Sequence, residues 1–286
     1  MKKILICLLV LIISIFIFTS CSANKPITEW NERNSDDLVV MSYNIRFDTW
    51  KDMFKKDWDS RKSGLTDQIA TICPDVIGMQ EVESNQFDYM AKRFADKYDS
   101  VVAYRDGEEE GEASPIFYNR NRFDLIDSGS FWLSETPNVV SMGWDATHNR
   151  ICTYAKLFDK TKDKNIVVYN THLDNIGEIS KVESIKLILS KIVEMATPSI
   201  LIGDFNFKEN DDAYNLVIED YDNAKYKALE TMNKNTYNGF GEKELLIDHC
   251  FITKNDFVVN KYEINTEKDG KSFYSDHYPL IVTLEY

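Results

Sequence analysis

Short apolar runs alternate with polar stretches along most of this chain, and several of the runs end at an Asn, Asp, Glu or His. Apolar runs of this length, bounded by turn-forming residues, are typical of β-strands. The predicted strands cover residues 38–45, 76–79, 101–104, 115–118, 123–126, 151–158, 167–170, 199–202, 245–252, 257–264 and 280–284.

Three segments instead carry a helical pattern, at residues 61–72, 85–94 and 178–195. In the last of them, apolar residues recur at spacings of three and four, which predicts an amphipathic helix lying on a sheet. The polar segment 208–243 is rich in Asn and Lys and predicts a loop. Because strands outnumber helices and the two are interspersed, we predict an α/β fold. Two mixed sheets pack face to face, with helices on the outside, in one domain over residues 37–286.

The first residues have the layout of a secretory signal. Lys2 and Lys3 precede an apolar run over residues 4–18, which is short for a membrane-spanning helix. Small residues then lead to Cys21, as they do at the processing site of a bacterial lipoprotein. We predict a lipoprotein-type signal peptide at residues 1–20, lipidation of Cys21 and a polar tether at residues 21–36. The mature protein is then expected to be exported by a bacterium and anchored to a membrane through its lipid, on the periplasmic face or the cell surface.

The net charge of the chain bears on whether it binds nucleic acid. The net charge of −14 at pH 7 disfavours a protein that grips long nucleic acid, because such proteins present a basic surface to the phosphates. A local basic groove stays open as an alternative.

Cys73, Cys152 and Cys250 lie beside apolar residues, and three thiols cannot all pair within the chain. We therefore predict free buried thiols rather than disulfides or a metal site.

The polar residues at the predicted strand ends supply the candidate chemistry. Any one of them has a simple explanation as a turn, cap or surface residue. The same arrangement recurs at several strand ends, however, and loops at such ends are where rigid scaffolds place their sites. Carboxylate and amide oxygens there suit a hard cation, Mg²⁺ first, with Mn²⁺ or Ca²⁺ as alternatives. The candidates are Asn44, Glu81, His172, Asp204, Asn206, Asp248, Asp276 and His277.

Two pairs of these residues indicate hydrolysis. The adjacent Asp276 and His277 can hold a metal and move a proton, while Asp204 and Asn206 can position water and a phosphoryl oxygen. This chemistry needs no Ser or Cys nucleophile.

The same residues stand in a series of motifs that resembles the endonuclease/exonuclease/phosphatase superfamily, which includes deoxyribonuclease I. The motifs occur in family order and span nearly the whole chain after the signal. They are Met41-Ser42-Tyr43-Asn44, Gln80-Glu81, Pro115-Ile116-Phe117-Tyr118, Asn170-Thr171-His172-Leu173-Asp174, Gly203-Asp204-Phe205-Asn206, Ile247-Asp248-His249 and Ser275-Asp276-His277-Tyr278-Pro279. The segment 129–137, with Gly143-Trp144-Asp145 and Arg150-Ile151-Cys152-Thr153, is similar to a bacterial subgroup of exported members.

The resemblance implies a four-layered α/β sandwich whose site lies in a cleft at one end of the two sheets. It also implies a divalent cation, with Glu81 as its principal ligand. Asn44 and Asp276 would complete the metal site.

The resemblance further implies how protons would move. His277, oriented by Asp248, would be the general base or the group that protonates the phosphate. Asp204 and Asn206 would handle the attacking water or the leaving group, and which of His277 and Asp204 takes the proton stays open. Three further residues would contact the phosphate of the substrate: His172, Tyr118 and Arg150.

Residues and resemblance together predict a Mg²⁺-dependent hydrolase that attacks a phosphate ester in line with activated water. The expected substrate is a small phosphorylated molecule or a lipid headgroup, which the acidic charge and the lipid anchor both favour. An extracytoplasmic nuclease acting on DNA or RNA is the alternative, and it would need a basic groove around the cleft. A non-catalytic binding protein is disfavoured, since none of the proposed catalytic groups is missing.

Overall fold

The computed structural model describes residues 25–286 of the chain. Its strands are β1 (Leu38–Asn44), β2 (Val76–Gln80), β3 (Tyr98–Val101), β4 (Ile116–Asn119), β5 (Phe123–Trp132), β6 (Ile151–Asp159), β7 (Lys164–His172), β8 (Ser199–Asp204), β9 (Tyr221–Asn223), β10 (Glu230–Thr231), β11 (Asp248–Thr253), β12 (Val258–Ile264) and β13 (Leu280–Glu285). Its helices are α1 (Trp58–Ile72), α2 (Ser84–Arg93), α3 (Glu178–Met195), α4 (Asp212–Asp220) and the short α5 (Ala224–Lys227).

The strands form two mixed sheets. The first has the order β10-β12-β13-β1-β2-β4-β3, and the second has the order β5-β6-β7-β8-β11-β9. Most neighbours are antiparallel, but β1 runs parallel to β2, β7 to β8 and β10 to β12. The carboxyl ends of the first two of these parallel pairs lie at the site described below.

Each sheet is covered on both faces, which gives four layers. Alternate residues of β1 show this, because Leu38 and Val40 face the core between the sheets while Val39 and Met41 pack with α1 and α2. A third core lies between the second sheet and helices α3 and α4. The predicted α/β sandwich, with two mixed sheets face to face and flanking helices, is therefore confirmed.

Several local elements differ from the sequence prediction: β9, β10 and α5 also lie in the segment predicted as a loop, and β5 continues to Trp132. Two differences have a clear physical reason. The strand predicted at residues 101–104 lies earlier, at Tyr98–Val101, because its partner β4 begins just after Pro115, which has no N–H for a ladder. Helix α4 falls inside the segment predicted as a loop, since the polar composition there hides a short apolar face. That face consists of Ala213, Tyr214 and Val217.

Only part of the N-terminal segment, for which a signal peptide and a tether were predicted, lies within the described residues. The signal at 1–20 and Cys21 lie outside them. Residues 25–33, predicted to belong to the tether, pack on the domain instead: the Ile27 N–H donates to the Arg93 carbonyl at 2.8 Å, and the Trp30 ring lies 5.2 Å from that of Tyr98. Apolar contacts thus make this stretch part of the fold. Between residues 25 and 286, none of the helices has the length and apolar character needed to cross a bilayer.

Cys73, Cys152 and Cys250 are free and buried, as predicted. Burial raises the pKa values of the Cys73, Cys152 and Cys250 thiols, which keeps them protonated. They act as small apolar core residues.

A buried ion network lies at the end of the sandwich where β2 begins. The Arg122 guanidinium donates to Asp159 at 2.7 Å and to Asp75 at 3.1 Å, and all three side chains are at least nine-tenths buried. The Tyr286 hydroxyl donates to the same Asp159 carboxylate at 2.6 Å. The network therefore fixes the C-terminus and the start of β2 to the body of the domain.

At the end of the sandwich opposite the Arg122 network, the two sheets approach each other closely. Gly78 of β2 faces the second sheet, and a Cβ there would come within 2.9 Å of both Ile202 and Asn170. The glycine lets Asn170 donate to the carbonyls of Met79 and Pro115 at 2.7 and 2.9 Å. One buried amide thus ties the second sheet to the first beneath the site.

Candidate active site

Strand register brings the predicted site residues together. In the second sheet, His172 ends β7, Asp204 ends β8 and Asp248 begins β11, and the three residues are direct neighbours across the ladder. In the first sheet, Asn44 ends β1 beside Gln80, so Glu81 follows at the same edge. The ends of the two sheets therefore face each other across one cleft.

The cleft encloses about 640 Å³ and carries both signs of charge. Asn44 and Asp248 lie buried behind its wall, at 0% and 1% exposure. The predicted residues that line it are Glu81, Arg150, His172, Asp204, Asn206, Asp276 and His277.

Asp204 lies between two imidazoles. Its Oδ2 atom is 3.6 Å from Nε2 of His277 and 3.6 Å from Nε2 of His172, and it accepts a hydrogen bond from the Asn44 amide at 2.9 Å. Burial and the charge of Asp248 raise the pKa of the Asp204 carboxyl to about 7. This carboxylate is therefore poised to accept a proton near neutral pH.

His277 is held as a cation. Its Nδ1 atom lies 2.8 Å from Asp248 Oδ2, and its ring centroid lies 4.9 Å from that of Tyr237. Burial opposes a charge on the imidazole, but the carboxylates of Asp248 and Asp204 outweigh it and raise the pKa of His277 to about 10. His277 can therefore donate a proton at neutral pH.

His172 is neutral by contrast. Burial, reinforced by the charge of Arg150, holds the pKa of His172 well below its usual value of 6.5. The Asn206 amide donates to Leu173 O and lies 3.1 Å from His172 Nε2, which assigns the ring proton to Nδ1. The two histidines of the cleft thus differ in charge because their neighbours differ.

Acidic groups converge where a cation was predicted. Ligand atoms of Glu81, His172 and Asp204 lie within 4.8 Å of one another, and those of Asp204, Asp248 and His277 form a second such group. Burial raises the pKa of Asp276, and the negative charge of Glu81 adds to it. Because a cation would relieve this repulsion, the group of Glu81, Asp204 and the neutral His172 fits a divalent ion. The predicted ligand Asp276 belongs to neither group.

The structure qualifies the predicted ligand role of Asn44. Its amide nitrogen donates to Glu81 Oε1 at 3.1 Å as well as to Asp204, while its oxygen accepts from the Arg46 N–H at 3.0 Å. Asn44 thus bridges the two carboxylates. Metal ligation by its oxygen stays a prediction.

Tyr118 does not reach the cleft, which corrects its predicted contact with phosphate. It pairs with Val76 at the start of β2, whereas the site lies at the end of that strand. Its side chain is 6% exposed and packs in the core between the sheets. Arg150, by contrast, lines the cleft, and its contact with phosphate stays a prediction.

Several cleft residues were not predicted from the sequence. Arg46 lies 3.9 Å from Asp276, and Arg105 Nη1 lies 2.8 Å from Glu112 Oε2. Burial and the charge of Glu81 raise the pKa of the Glu112 carboxyl to about 7. Six basic residues face the cleft in total: Arg46, Arg105, Arg150, Lys181, Lys208 and Lys243.

Three residues of the site have a left-handed backbone conformation. Arg46, Glu81 and Asn206 follow strand ends with φ values of 61°, 59° and 51°. Left-handed conformations are uncommon for residues other than glycine and cluster at functional sites. Each turn aims a cleft side chain away from the path of its strand.

Comparisons with known proteins agree with this geometry. The sequence profile of the Endonuclease/Exonuclease/phosphatase family matches residues 41–277. A structure of an endonuclease/exonuclease/phosphatase from Bacteroides vulgatus is 34% identical, with a TM-score of 0.82, covering 88% of this chain and 99% of that chain. The mannosyl-6-phosphatase of Bacteroides thetaiotaomicron is 31% identical, with a TM-score of 0.82, covering 87% of this chain and 100% of its own.

A more distant relative is the probable RNA exonuclease NGL3 of Saccharomyces cerevisiae. It is 24% identical over 66% of this chain and 41% of its own length. The profile match spans most of the described residues and includes both sheet edges of the cleft. The chain therefore belongs to the endonuclease/exonuclease/phosphatase family.

Proposed function

We propose that this chain is a metal-dependent hydrolase of phosphate esters. The observation that carries the proposal is the position of Asp204, with a cationic His277 and a neutral His172 each 3.6 Å from its Oδ2 atom. A proton acceptor beside a proton donor, in a cleft lined by arginines and lysines, suits attack of water on a phosphoryl group.

In this proposal the residues have separate roles. Asp204 accepts a proton from the attacking water, because its pKa of about 7 makes it a base at neutral pH. His277 donates a proton or a hydrogen bond to an oxygen of the phosphoryl group, and Asp248 holds it in the charged form. Asn206 and His172 lie beside Asp204, where they would contact the same group.

Mg²⁺ is the proposed cation, with Mn²⁺ or Ca²⁺ as alternatives. Glu81 would be its principal ligand, with Asp276 and Asn44 as the further proposed ligands, and such oxygen donors match the preference of these ions. In the structure, Glu81 groups with His172 and Asp204 as possible ligands. When bound, such an ion neutralises negative charge that develops on phosphoryl oxygens.

The proposed substrate is a small phosphorylated molecule or a lipid headgroup. The likeness to the mannosyl-6-phosphatase supports a small phosphorylated molecule, since the two chains correspond over nearly their whole folded length. The acidic net charge of −14 also favours a small substrate over a polymer.

A nuclease is the second candidate, and one observation favours it. Six arginine and lysine residues line the cleft in spite of the acidic total charge, and they would contact the phosphates of a nucleic acid. Six carboxylates line the same cleft, so the groove is mixed in charge and not strongly basic. The relationship to the probable RNA exonuclease points the same way, although it covers less of the chain.

A panel of phosphate esters distinguishes these substrates. The purified domain would be given nitrophenyl esters, phosphorylated sugars, inositol phosphates, sphingomyelin, DNA and RNA, each with and without Mg²⁺. The proposal expects Mg²⁺-dependent release from a small ester. Turnover confined to DNA or RNA, with binding that weakens steeply in salt, would establish the nuclease instead.

We also propose that the protein is an exported lipoprotein, held at a membrane through Cys21. The support is the sequence pattern of residues 1–21 alone. Metabolic labelling with a fatty acid tests it: the full chain should incorporate label and a Cys21→Ser variant should not. Equal labelling of the two would refute lipidation at this residue.

A further inference from the structure

One end of the cleft is closed by two arginines. Arg105 and Arg150 line it together with Glu112, next to Glu81 and His172. The side chain of Arg150 is 7% exposed, that of Arg105 is 13% exposed, and the Nε atoms of both are buried without a hydrogen-bond partner. A buried donor without a partner is costly, so such an arrangement calls for an acceptor.

Arg150 lacks a hydrogen-bonded counter-ion among residues 25–286. The nearest carboxylate oxygen is Oδ2 of Asp174, 3.6 Å from Nε and therefore beyond hydrogen-bond distance. That carboxylate already accepts hydrogen bonds from Thr147, Ile176 and Gly177. The guanidinium is thus free to bind an anion in the cleft.

Arg105 is held in place from the other side. Its Nη1 atom lies 2.8 Å from Oε2 of Glu112, and the same oxygen lies 3.8 Å from Nδ1 of His172. Glu112 therefore holds Arg105 at the cleft through Nη1. The Nε atom lies 3.6 Å from Asp106 Oδ2, beyond hydrogen-bond distance, and has no hydrogen-bond partner. Glu81 and Glu112 line this end beside the two guanidinium groups, so the charges there are balanced. The buried Nε donors without a partner, and not a surplus of charge, therefore call for an acceptor.

The space at this end is small. The void bounded by Glu81, Arg105, Glu112, Arg150 and His172 holds about 10 Å³, which is the room of a single water-sized group. An oxygen atom can occupy it, but a sugar or a nucleoside cannot. Planar guanidinium groups match the oxygens of a phosphate, often two at a time.

We propose that Arg105 and Arg150 bind terminal, unesterified oxygens of the transferred phosphoryl group, and that the site therefore selects phosphate monoesters over diesters. The inference rests on the phosphoesterase function proposed above and adds its substrate class. Water bonds to phosphorus as the bond to the leaving oxygen breaks, that oxygen takes up a proton, and the products are inorganic phosphate and an alcohol. A diester would have to place its second organic group at the closed end.

In this proposal Glu112 is a positioning residue, because it acts on the substrate through Arg105. The residues of the subsite are thus Arg105 and Arg150, with Glu112 behind them. The sequence offers a matched control in Arg120, which pairs with Asp99 at 2.8 Å on the sheet edge away from the cleft.

The test compares 4-nitrophenyl phosphate with bis(4-nitrophenyl) phosphate, and measures binding of inorganic phosphate by calorimetry. The wild type should prefer the monoester. Arg150→Gln and Arg105→Gln should each lower kcat/KM for the monoester by about 10- to 100-fold and weaken phosphate binding similarly. Activity on the diester should change little, and Arg120→Gln should behave as wild type.

The role of Glu112 is tested by a double-variant cycle. Glu112→Gln should weaken phosphate binding on its own but add nothing in an Arg105→Gln background. Additive losses would overturn the positioning role, and Arg150→Lys, which keeps the charge, provides a milder variant if a glutamine variant does not fold.

A wild type that prefers the diester would overturn the subsite, and so would phosphate binding unchanged in both arginine variants. Neither result would contradict the proposal that the protein hydrolyses phosphate esters. If no ester is hydrolysed with any divalent ion, the phosphoesterase proposal fails, and the phosphate titration still reports separately on the arginines.

Discussion

The Nδ1 atom of His277 lies 2.8 Å from Oδ2 of Asp248, and this contact keeps the imidazole charged in a buried site. An Asp248→Asn change keeps the shape but removes the negative charge, so the pKa of His277 should fall. We expect kcat for phosphate-ester hydrolysis to fall by about 10²- to 10⁴-fold, the usual contribution of an acid–base group.

The control for this variant is Asp256→Asn, which makes the same chemical change at an exposed residue in the turn after β11. Circular dichroism should show both variants folded. Equal activity of the two variants would mean that the charge of Asp248 has no part in turnover.

Metal binding should depend on Glu81. A divalent cation that binds only the folded protein raises Tm, by about 2 to 4 °C for each kcal/mol of binding in a domain of this size. Thermal scans with Mg²⁺, Mn²⁺ and Ca²⁺ should show this rise for the wild type and for Glu219→Gln, an exposed control. Glu81→Gln should lose the rise. A rise of the same size in Glu81→Gln would place the ion elsewhere.

The ion network around Arg122 should matter for stability and not for catalysis. Arg122→Met leaves the buried carboxylate of Asp159 without its arginine partner, while Asp75 keeps Arg33, and this should cost about 3 to 5 kcal/mol in the free energy of unfolding. Urea denaturation measures this cost. The half-exposed Arg120, changed to Met, should lose less than about 1 kcal/mol. Similar losses for the two would contradict the role given to burial.

His249 should make the fold sensitive to acid. The ring is buried against Phe207 and Phe251, its Nε2 lies 3.2 Å from the Phe207 carbonyl, and burial lowers the pKa of His249 to about 4. A histidine with a lowered folded pKa contributes full stability above its unfolded pKa of 6.5 and loses it as pH falls toward 4.

The wild type should therefore lose about 3 kcal/mol more than His249→Gln between pH 6.5 and pH 4. Glutamine keeps a donor for the Phe207 carbonyl but does not titrate in this range. Urea denaturation of both proteins across the range gives the difference. Parallel pH profiles would show that His249 is not the acid-sensitive group.

Much of the site could be predicted because its residues follow apolar strands. Asn44, Asp204 and Asp248 each lie at the border of a short apolar run, and the pairing of β8 with β11 places the last two side by side. The end of an apolar run can be recognised from the local sequence alone. It also marks the site in the structure, because both sheets end at the same cleft.

Other site residues could not be found in this way. Arg105 and Glu112 lie in a Glu-rich connection that reads as a solvated loop, and isolated pairings of Ala113 with Val82 and Tyr104 bring that loop to the cleft. Such contacts depend on the packed sheets rather than on any periodic pattern.

Tyr118 was misplaced for a related reason. Its strand β4 runs antiparallel to β2, so Tyr118 lies beside Val76 at the start of β2 and away from the cleft. The local apolar pattern does not show in which direction a strand runs in its sheet. Helix α4 was missed because only Ala213, Tyr214 and Val217 mark its apolar face in a strongly polar segment.

The most direct test of the central claim is hydrolysis of small phosphate esters by the wild type and by Glu81→Ala, Asp276→Ala and His277→Ala, with and without Mg²⁺. We predict turnover that requires the divalent ion in the wild type and is abolished in each folded variant. Near-normal turnover in all three variants, or no hydrolysis by the wild type with any divalent ion, would contradict the account.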